Sequence, residues 1–270
     1  MRVLVVTAVP AERDAVTRAF GDGTPPAVRR VAGAEFHRVP GPGGPGIVVD
    51  VLAGGVGPAA AAAATAFGLA AGHLAAPAPV PGSGDASGHA PGRSPYDGGC
   101  APYGLVVSAG IGGGFLPAAP VGSLVVASGI VAADLGAQTP DGFVPVTALG
   151  FGRDRHVPPR SLVRDVAAAT GALPGEILTV STVTGSAERA AALTAAHPRA
   201  AAEAMEGFGV AEAADQAGVP VLELRAVSNA VGPRDRDAWR IGDALAALTE
   251  AFGKLAPVLE GWTHHDRNHA

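Results

Sequence analysis

Residues 204–239 read AMEGFGVAEAADQAGVPVLELRAVSNAVGPRDRDAW, and the breaks in this stretch set the architecture. Met205, Glu206 and Gly207 open a helical run through Phe208, Val210, Ala213 and Ala214. Gly218 and then Pro220 close it, an order that suits a helix C-terminus. Residues 219–227 form a short apolar run with the length of a buried strand. Asn229 follows at its carboxyl end, in a loop with Gly232 and Pro233, where open α/β sheets place ligand contacts. Glu206 is a carboxylate on an apolar segment, which calls for a partner or a task. The helix dipole also favours a carboxylate at a helix start, so both readings stay open on the residues alone. Glu223 and Arg225 lie two apart on a strand and share a face, the pattern of a structural ion pair.

The same alternation of strand and helix runs back to the chain start. Residues 2–9, RVLVVTAV, read as a buried strand. The run is too short for a secretory leader, and Glu12, Arg13 and Asp14 follow at once. Pro10 suits the first turn of a helix reaching about Phe20, with Glu12 placed where dipole compensation also puts glutamate. Residues 28–39 alternate as a hairpin with Gly33 near its turn, and His37 there reads as structural. Residues 40–46 form a loop and 47–52 a strand, followed by Gly54, Gly55 and Gly57 and a helix over 59–71. A glycine-rich turn between strand and helix can bring backbone N–H groups to an anion or sugar, or serve packing alone. Residues 105–109 are a second buried strand running into a loop of Gly110, Ile111, Gly112, Gly113 and Gly114. One or two strands over 121–132, a helix over 159–170 and a strand over 177–181 come next. A loop of Thr182, Val183 and Thr184 then precedes a helix over 187–196. Residues 200–204 have helix propensity. A long helix over 236–259 follows, capped by Asp235 or Asp237.

The order MEG, helix, GVP, strand, RAVSN resembles the C-terminal signature of the purine nucleoside phosphorylase/nucleosidase superfamily. The resemblance covers most of the chain outside 73–103, and the continuation SNxVGPRxRxxW is similar to that of the futalosine hydrolases within the superfamily. It implies one α/β nucleosidase domain over residues 1–262, a three-layer α/β/α fold with a mixed central sheet. Residues 200–204 then become a strand against their propensity. By the same resemblance Met205 and Glu206 hold ribose, Glu12 activates water and Asn229 holds the purine. Gly57 falls in the first glycine loop, and Ile111, Gly112 and Gly113 fall in the second. Thr182 and Val183 stand in the base-binding loop without the aromatic common there, and Arg225 orders the loop carrying Asn229. Segment 134–152 lines the pocket for the 5′ substituent with help from a second subunit, so a homo-oligomer is expected.

The implied reaction cleaves the N-glycosidic bond of futalosine to hypoxanthine and dehypoxanthine futalosine in the alternative menaquinone pathway. The partner is a small-molecule nucleoside, with no metal and no organic cofactor. Superfamily members acting on 6-aminopurines carry Asp where Asn229 stands. An Asn amide can donate to O6 and N7 of a 6-oxopurine, which suits hypoxanthine. It cannot deliver a proton as an acid, which leaves solvent, Asp235 or Asp237 as the source. Alternatives are a phosphorylase for 6-oxopurine nucleosides, a nucleosidase for 5′-methylthioadenosine and S-adenosylhomocysteine, and a non-catalytic nucleoside sensor. Ile111 replaces a Ser frequent in the family, and neither glycine loop carries an Arg, which disfavours phosphate. Asn229 disfavours the methylthioadenosine reading, and the pair Glu12 and Glu206 disfavours the sensor. Arg153 and Arg155 are the candidates for gripping the benzoate carboxylate of futalosine.

Composition bounds these readings. With 270 residues, 48% of them hydrophobic, the chain can bury one substantial core. A net charge of −5 leaves no basic footprint for nucleic acid. No apolar run reaches the ~18 residues a membrane span needs, and the cytoplasm is expected. Lys254 is the only lysine, and Arg supplies the other cations. The single cysteine, Cys100, excludes an internal disulfide framework and has no catalytic context. Residues 73–102 are rich in Pro, Gly, Ala and Ser and read as a flexible surface insertion. Asp85 and His89 within it are too sparse for a metal site. His264, His265 and His269 belong to a frayed tail over 263–270.

Overall fold

The computed structural model describes residues 1–20, 25–31, 33–40, 47–74 and 103–265. The expectations for Asp85, His89, Cys100 and His269, for residues 41–46 and for the insertion over 75–102 fall outside that set.

The first apolar run forms strand β1 (Arg2–Thr7), and Pro10 starts helix α1 (Pro10–Arg18). Along β1, Val3 and Val5 enter one hydrophobic core and Leu4 and Val6 another. The two-residue period of a strand dictates that split, and a strand buried on both faces belongs between two helical layers. The expected hairpin is β2 (Ala27–Val31) against β3 (Ala34–Pro40), with Gly33 at φ 88° in its turn. Then come β4 (Val48–Ala53), α2 (Pro58–Leu74), β5 (Leu105–Gly114) and β6 (Leu124–Ala132). A small separate hairpin, β7 (Gly136–Thr139) and β8 (Gly142–Pro145), precedes β9 (Arg155–His156), α3 (Arg160–Thr170) and β10 (Leu173–Thr179). The chain ends with α4 (Ala187–Ala196), β11 (Ala200–Ala204), α5 (Gly207–Gln216), β12 (Val221–Ala230) and α6 (Ile241–His265).

Among the described residues the main sheet runs β11-β10-β6-β12-β5-β1-β4-β3-β2, with β9 beside β6. It is mixed: β5 pairs in parallel with β1 and β12, while β6 runs antiparallel to β12. Ala15 and Val16 of α1, Leu162 and Val166 of α3, and Leu248 and Phe252 of α6 cover one face. Ala61 and Leu69 of α2, with Phe208, Val210 and Ala214 of α5, cover the other. This is the expected three-layer α/β/α architecture.

The sheet also closes on itself. β11 pairs antiparallel with the end of β5, through Ala202 with Gly114 and Glu203 with Gly113. β5, β12, β6, β10 and β11 therefore form a ring. Residues 110–114 are strand rather than loop, and close neighbours explain the glycines at 112 and 114. A Cβ on Gly112 would lie 2.8 Å from the Glu203 carbonyl oxygen, and one on Gly114 2.0 Å from that of Ala119. Residues 200–204 form the strand β11, fully buried between β10 and β5. Pairing on both sides and alanines on both faces override their helix propensity.

Boundaries differ from expectation in several places, among them β10, which runs 173–179 rather than 177–181. Asn229 belongs to β12, just past a register shift after Val227. Helix α6 begins at Ile241, not 236, and Asp235 accepts from the Asp237 N–H (3.2 Å) instead of capping it. The helix also takes in His264 and His265.

A buried ionic clamp sits at the amino ends of β1 and β4. Asp50 is 1% exposed and accepts from Arg2 Nη2 (2.7 Å), the Tyr103 hydroxyl (2.8 Å), and Arg38 Nε (2.7 Å) and Nη2 (2.9 Å). Arg2 also donates to the carbonyl of Gly72 (3.4 Å). Residues 73–74 thus continue α2, and Tyr103 is core rather than insertion. Tyr103→Phe should cost about 1 kcal/mol, the net worth of one hydrogen bond. Asp50→Ala should cost roughly 2–3 kcal/mol, because it removes the buried acceptor of the Tyr103 hydroxyl and of two half-buried guanidinium groups. Urea unfolding measures both, and turnover by Tyr103→Phe should match the parent.

Candidate active site

The carboxyl ends of β1, β5, β11 and β12 meet at a cleft of about 340 Å³. Glu12, Ile111, Gly112, Gly113, Val183, Met205, Glu206 and Asn229 line it, as the sequence leads one to expect. Glu203, Ser228, Arg234 and Trp239 line it as well.

Glu12 reaches the cleft because β1 ends in a tight turn into α1. It is 3% exposed. Its Oε2 accepts from the Ala8 N–H (2.9 Å) and the Val9 N–H (3.2 Å), and its Oε1 from the Ile111 N–H (2.8 Å). The Val9 bond is a helix cap, so the carboxylate closes the start of α1 and faces the cleft at once. Burial raises its pKa, and the nearby Arg225 guanidinium opposes the shift.

Glu206, 5% exposed, precedes α5 yet makes no side-chain cap to it. Its Oε1 accepts from the Gly57 N–H (3.2 Å), and its Oε2 lies 3.2 Å from Arg225 Nη1. A capping role is thereby excluded. Gly57, with φ 95°, does not line the cleft and acts through Glu206 instead.

Arg225 is 1% exposed and stands behind the cleft wall, not on it. Its Nε donates to Glu223 Oε1 (3.0 Å) and its Nη2 to Ser108 Oγ (3.0 Å). Instead of ordering the Asn229 loop, it carries three carboxylates: Glu12, Glu206 and Glu223. Burial pushes the Glu223 carboxyl up to about 7, against the pull of Arg225. Glycines make room for this cluster. A Cβ on Gly110 would lie 2.5 Å from Glu12 Oε1 and 2.8 Å from Arg225 Nη1, and one on Gly207 2.1 Å from Glu223 Oε2.

At the other side of the cleft, the Ser228 hydroxyl donates to Asn229 Oδ1 (2.8 Å). Asn229 Nδ2 donates one hydrogen to the Ala230 carbonyl (3.0 Å), which leaves its second hydrogen for a ligand. Glu203, 6% exposed, is held by the Thr184 N–H (2.8 Å) and the Thr184 hydroxyl (2.5 Å).

Several expected residues lie elsewhere. Thr182 is exposed and off the cleft, where Val183 and Thr184 line the wall. No residue of 134–152 lines the cleft in the single chain. Arg153 pairs with Asp215 (2.6 Å) and Arg155 with Glu176 (2.9 Å). Asp235 and Asp237 are exposed and off the cleft. Sequence reasoning passed over Glu203, although a strand at 200–204 puts it on the face of Met205, two residues on.

Carboxylates and an amide donor around a cleft in this ringed α/β sheet define a class of nucleoside-cleaving folds. The sequence model of the Phosphorylase superfamily matches residues 2–260. A futalosine hydrolase of Streptomyces coelicolor is 60% identical over 268 residues, covering 99% of this chain and 100% of that protein. Solved structures share the fold. A futalosine hydrolase of Helicobacter pylori superposes with TM-score 0.73 at 16% identity, covering 96% of this chain and 98% of that one. A 5′-methylthioadenosine/S-adenosylhomocysteine nucleosidase from Colwellia psychrerythraea, in complex with adenine, gives 0.70 at 22% identity, covering 97% and 95%. The chain belongs to the phosphorylase superfamily and, within it, to the futalosine hydrolase family. Among the described residues no helix is long and apolar enough to cross a membrane.

The Glu223 carboxyl titrates at about 7 in the fold, against an ordinary 4.5. Between those values the native state binds the extra proton, so stability falls as pH rises through the window and is level outside it. Glu223→Gln lacks this titration. Relative to that variant, the parent chain should lose on the order of 3 kcal/mol across the window. Urea unfolding at a series of pH values measures it, and a relative gain would contradict the assignment.

Proposed function

We propose that this chain hydrolyses the N-glycosidic bond of futalosine, releasing hypoxanthine and dehypoxanthine futalosine. The observation that carries the choice of water over phosphate is the pair Glu12 and Glu206, two buried carboxylates facing one cleft. A phosphate placed there would meet two negative groups. The Arg225 charge beneath them is already taken up by Glu206 and Glu223.

Each step is assigned to a side chain that lines the cleft. The bond breaks through an oxocarbenium-like sugar, whose positive charge Glu206 stabilises while holding the ribose hydroxyls. Met205 packs against the sugar. Glu12 takes the proton from the attacking water, and burial brings its basicity nearer to neutral pH, where a general base works best. Asn229 Nδ2 donates to the departing base, with its amide oriented by Ser228. Asp235 and Asp237 stand away from the cleft, so leaving-group stabilisation rests on hydrogen bonding rather than on an acid from that loop.

For the benzoate carboxylate of futalosine, Arg153 and Arg155 give way to Arg234. It lines the cleft and lies 5.3 Å over the Trp239 ring, a cation beside an aromatic plane. Segment 134–152 contributes otherwise: Leu135, Phe143, Leu149 and Phe151 are exposed apolar residues there. They suit a contact between subunits in a cytoplasmic homo-oligomer, a role that light scattering on the purified protein tests.

Purified protein should release hypoxanthine from futalosine at the same rate with and without phosphate. Release that needs phosphate would make it a phosphorylase. Glu12→Gln should lower kcat about 10²- to 10⁴-fold, with circular dichroism confirming the fold. Arg234→Met should raise KM for futalosine roughly tenfold or more and leave inosine unaffected, and equal effects on both would remove Arg234 from the carboxylate site.

A further inference from the structure

One row of residues on the cleft floor bears on which base is accepted. Gly113 of β5 is the register partner of Glu203 on β11 and of Asn229 on β12. Paired residues of neighbouring strands project to the same face. Glu203 and Asn229 therefore flank a central position that has no side chain of its own, where a Cβ would lie 2.9 Å from Val231 Cγ2 and 3.3 Å from Asn229 Nδ2. Two strand spacings put the flanks about 10 Å apart. That is roughly the width of a purine hydrogen-bonded at both edges, at about 2.9 Å each.

The flanks differ in polarity. Asn229 offers a donor, the Nδ2 hydrogen that Ala230 does not take, while Ser228 donates to its carbonyl oxygen and fixes which way the amide turns. Glu203 is an acceptor: Thr184 donates to both of its oxygens, and each keeps a lone pair. It is buried, lines the cleft and has no cationic partner in its hydrogen-bonding. Hypoxanthine carries a donor at N1 and acceptors at O6 and N7. Adenine reverses two of these, with an acceptor at N1 and a donor at the 6-amino group, and keeps the acceptor at N7. We infer that Glu203 is a specificity-determining residue, which accepts the N1–H of a 6-oxopurine while Asn229 donates to O6 or N7. Against a 6-aminopurine Glu203 faces the N1 lone pair, acceptor against acceptor, whether Asn229 reaches position 6 or N7, and unpaired buried polar groups are the strongest basis for rejecting an analogue. The inference deepens the proposed function and rests on hypoxanthine as the leaving base.

The test compares the parent protein with Glu203→Gln, using futalosine and its 6-amino counterpart as substrates. Free hypoxanthine and adenine serve as calorimetric ligands. The variant's amide can turn its NH2 towards N1 of adenine. The ratio of kcat/KM, 6-oxo over 6-amino, should fall at least tenfold. Hypoxanthine binding should weaken about 10- to 100-fold, with adenine binding unchanged or tighter. Equal losses on both bases would reduce Glu203 to a support for Thr184 and overturn the inference. So would a parent protein that binds the two bases alike. If the parent does not cleave futalosine, yet binds hypoxanthine over adenine and loses that preference in Glu203→Gln, then the substrate reading fails and the role of Glu203 stands. Should the variant not fold, 1-methylhypoxanthine on the parent protein reads the same contact. Binding as tight as that of hypoxanthine would overturn it.

Discussion

Arg225 is a single cation, 1% exposed, surrounded by carboxylates from three parts of the chain. Glu12 comes from α1, Glu206 from the junction of β11 and α5, and Glu223 from β12 itself. Burying any one of these charges alone would cost several kcal/mol, and removing one partner strands the others. Burial raises the pKa of Glu223 and Glu12, the Arg225 guanidinium opposes it, and the Glu206 charge adds a smaller upward push. Holding the strands and helices together and tuning the proposed base are thus one electrostatic problem. The glycines at 110 and 207 follow from it, because the cluster leaves no volume for a Cβ.

Much of this was legible in the chain. The MEG and RAVSN segments bracket a helix and a strand whose order recurs in the structure, and Glu12, Met205, Glu206 and Asn229 do share a cleft. Glu206 was ambiguous in sequence because a cap and a ligand group look alike at a helix start. Only the contact with Arg225 and Gly57 separates them. The role of Arg225 could not be read, since its spacing from Glu223 shows one partner and the other two are distant in sequence.

The glycine run 110–114 was misread for a related reason. Consecutive glycines suggest a loop when only local preference is weighed. Here the strand continues, and the glycines answer to neighbours distant in sequence: Gly110 to Glu12 and Arg225, Gly112 to Glu203 of β11, and Gly113 to Val231 and Asn229. Glu203 escaped notice for the same cause: in a run of alanines it looks like a helix former. Its significance lies in which residue stands across from it, two strands away.

The clamp of Arg2, Asp50 and Tyr103 has a consequence for how this chain can vary. Arg2 touches Gly72 on one side and Tyr103 on the other, so the end of α2 and the approach to β5 are tied to one side chain. Those places lie at the amino ends of the strands, and the cleft lies at the carboxyl ends. Losing the Arg2 charge would therefore loosen β1, the end of α2 and the approach to β5 together, at the end of the sheet away from the chemistry.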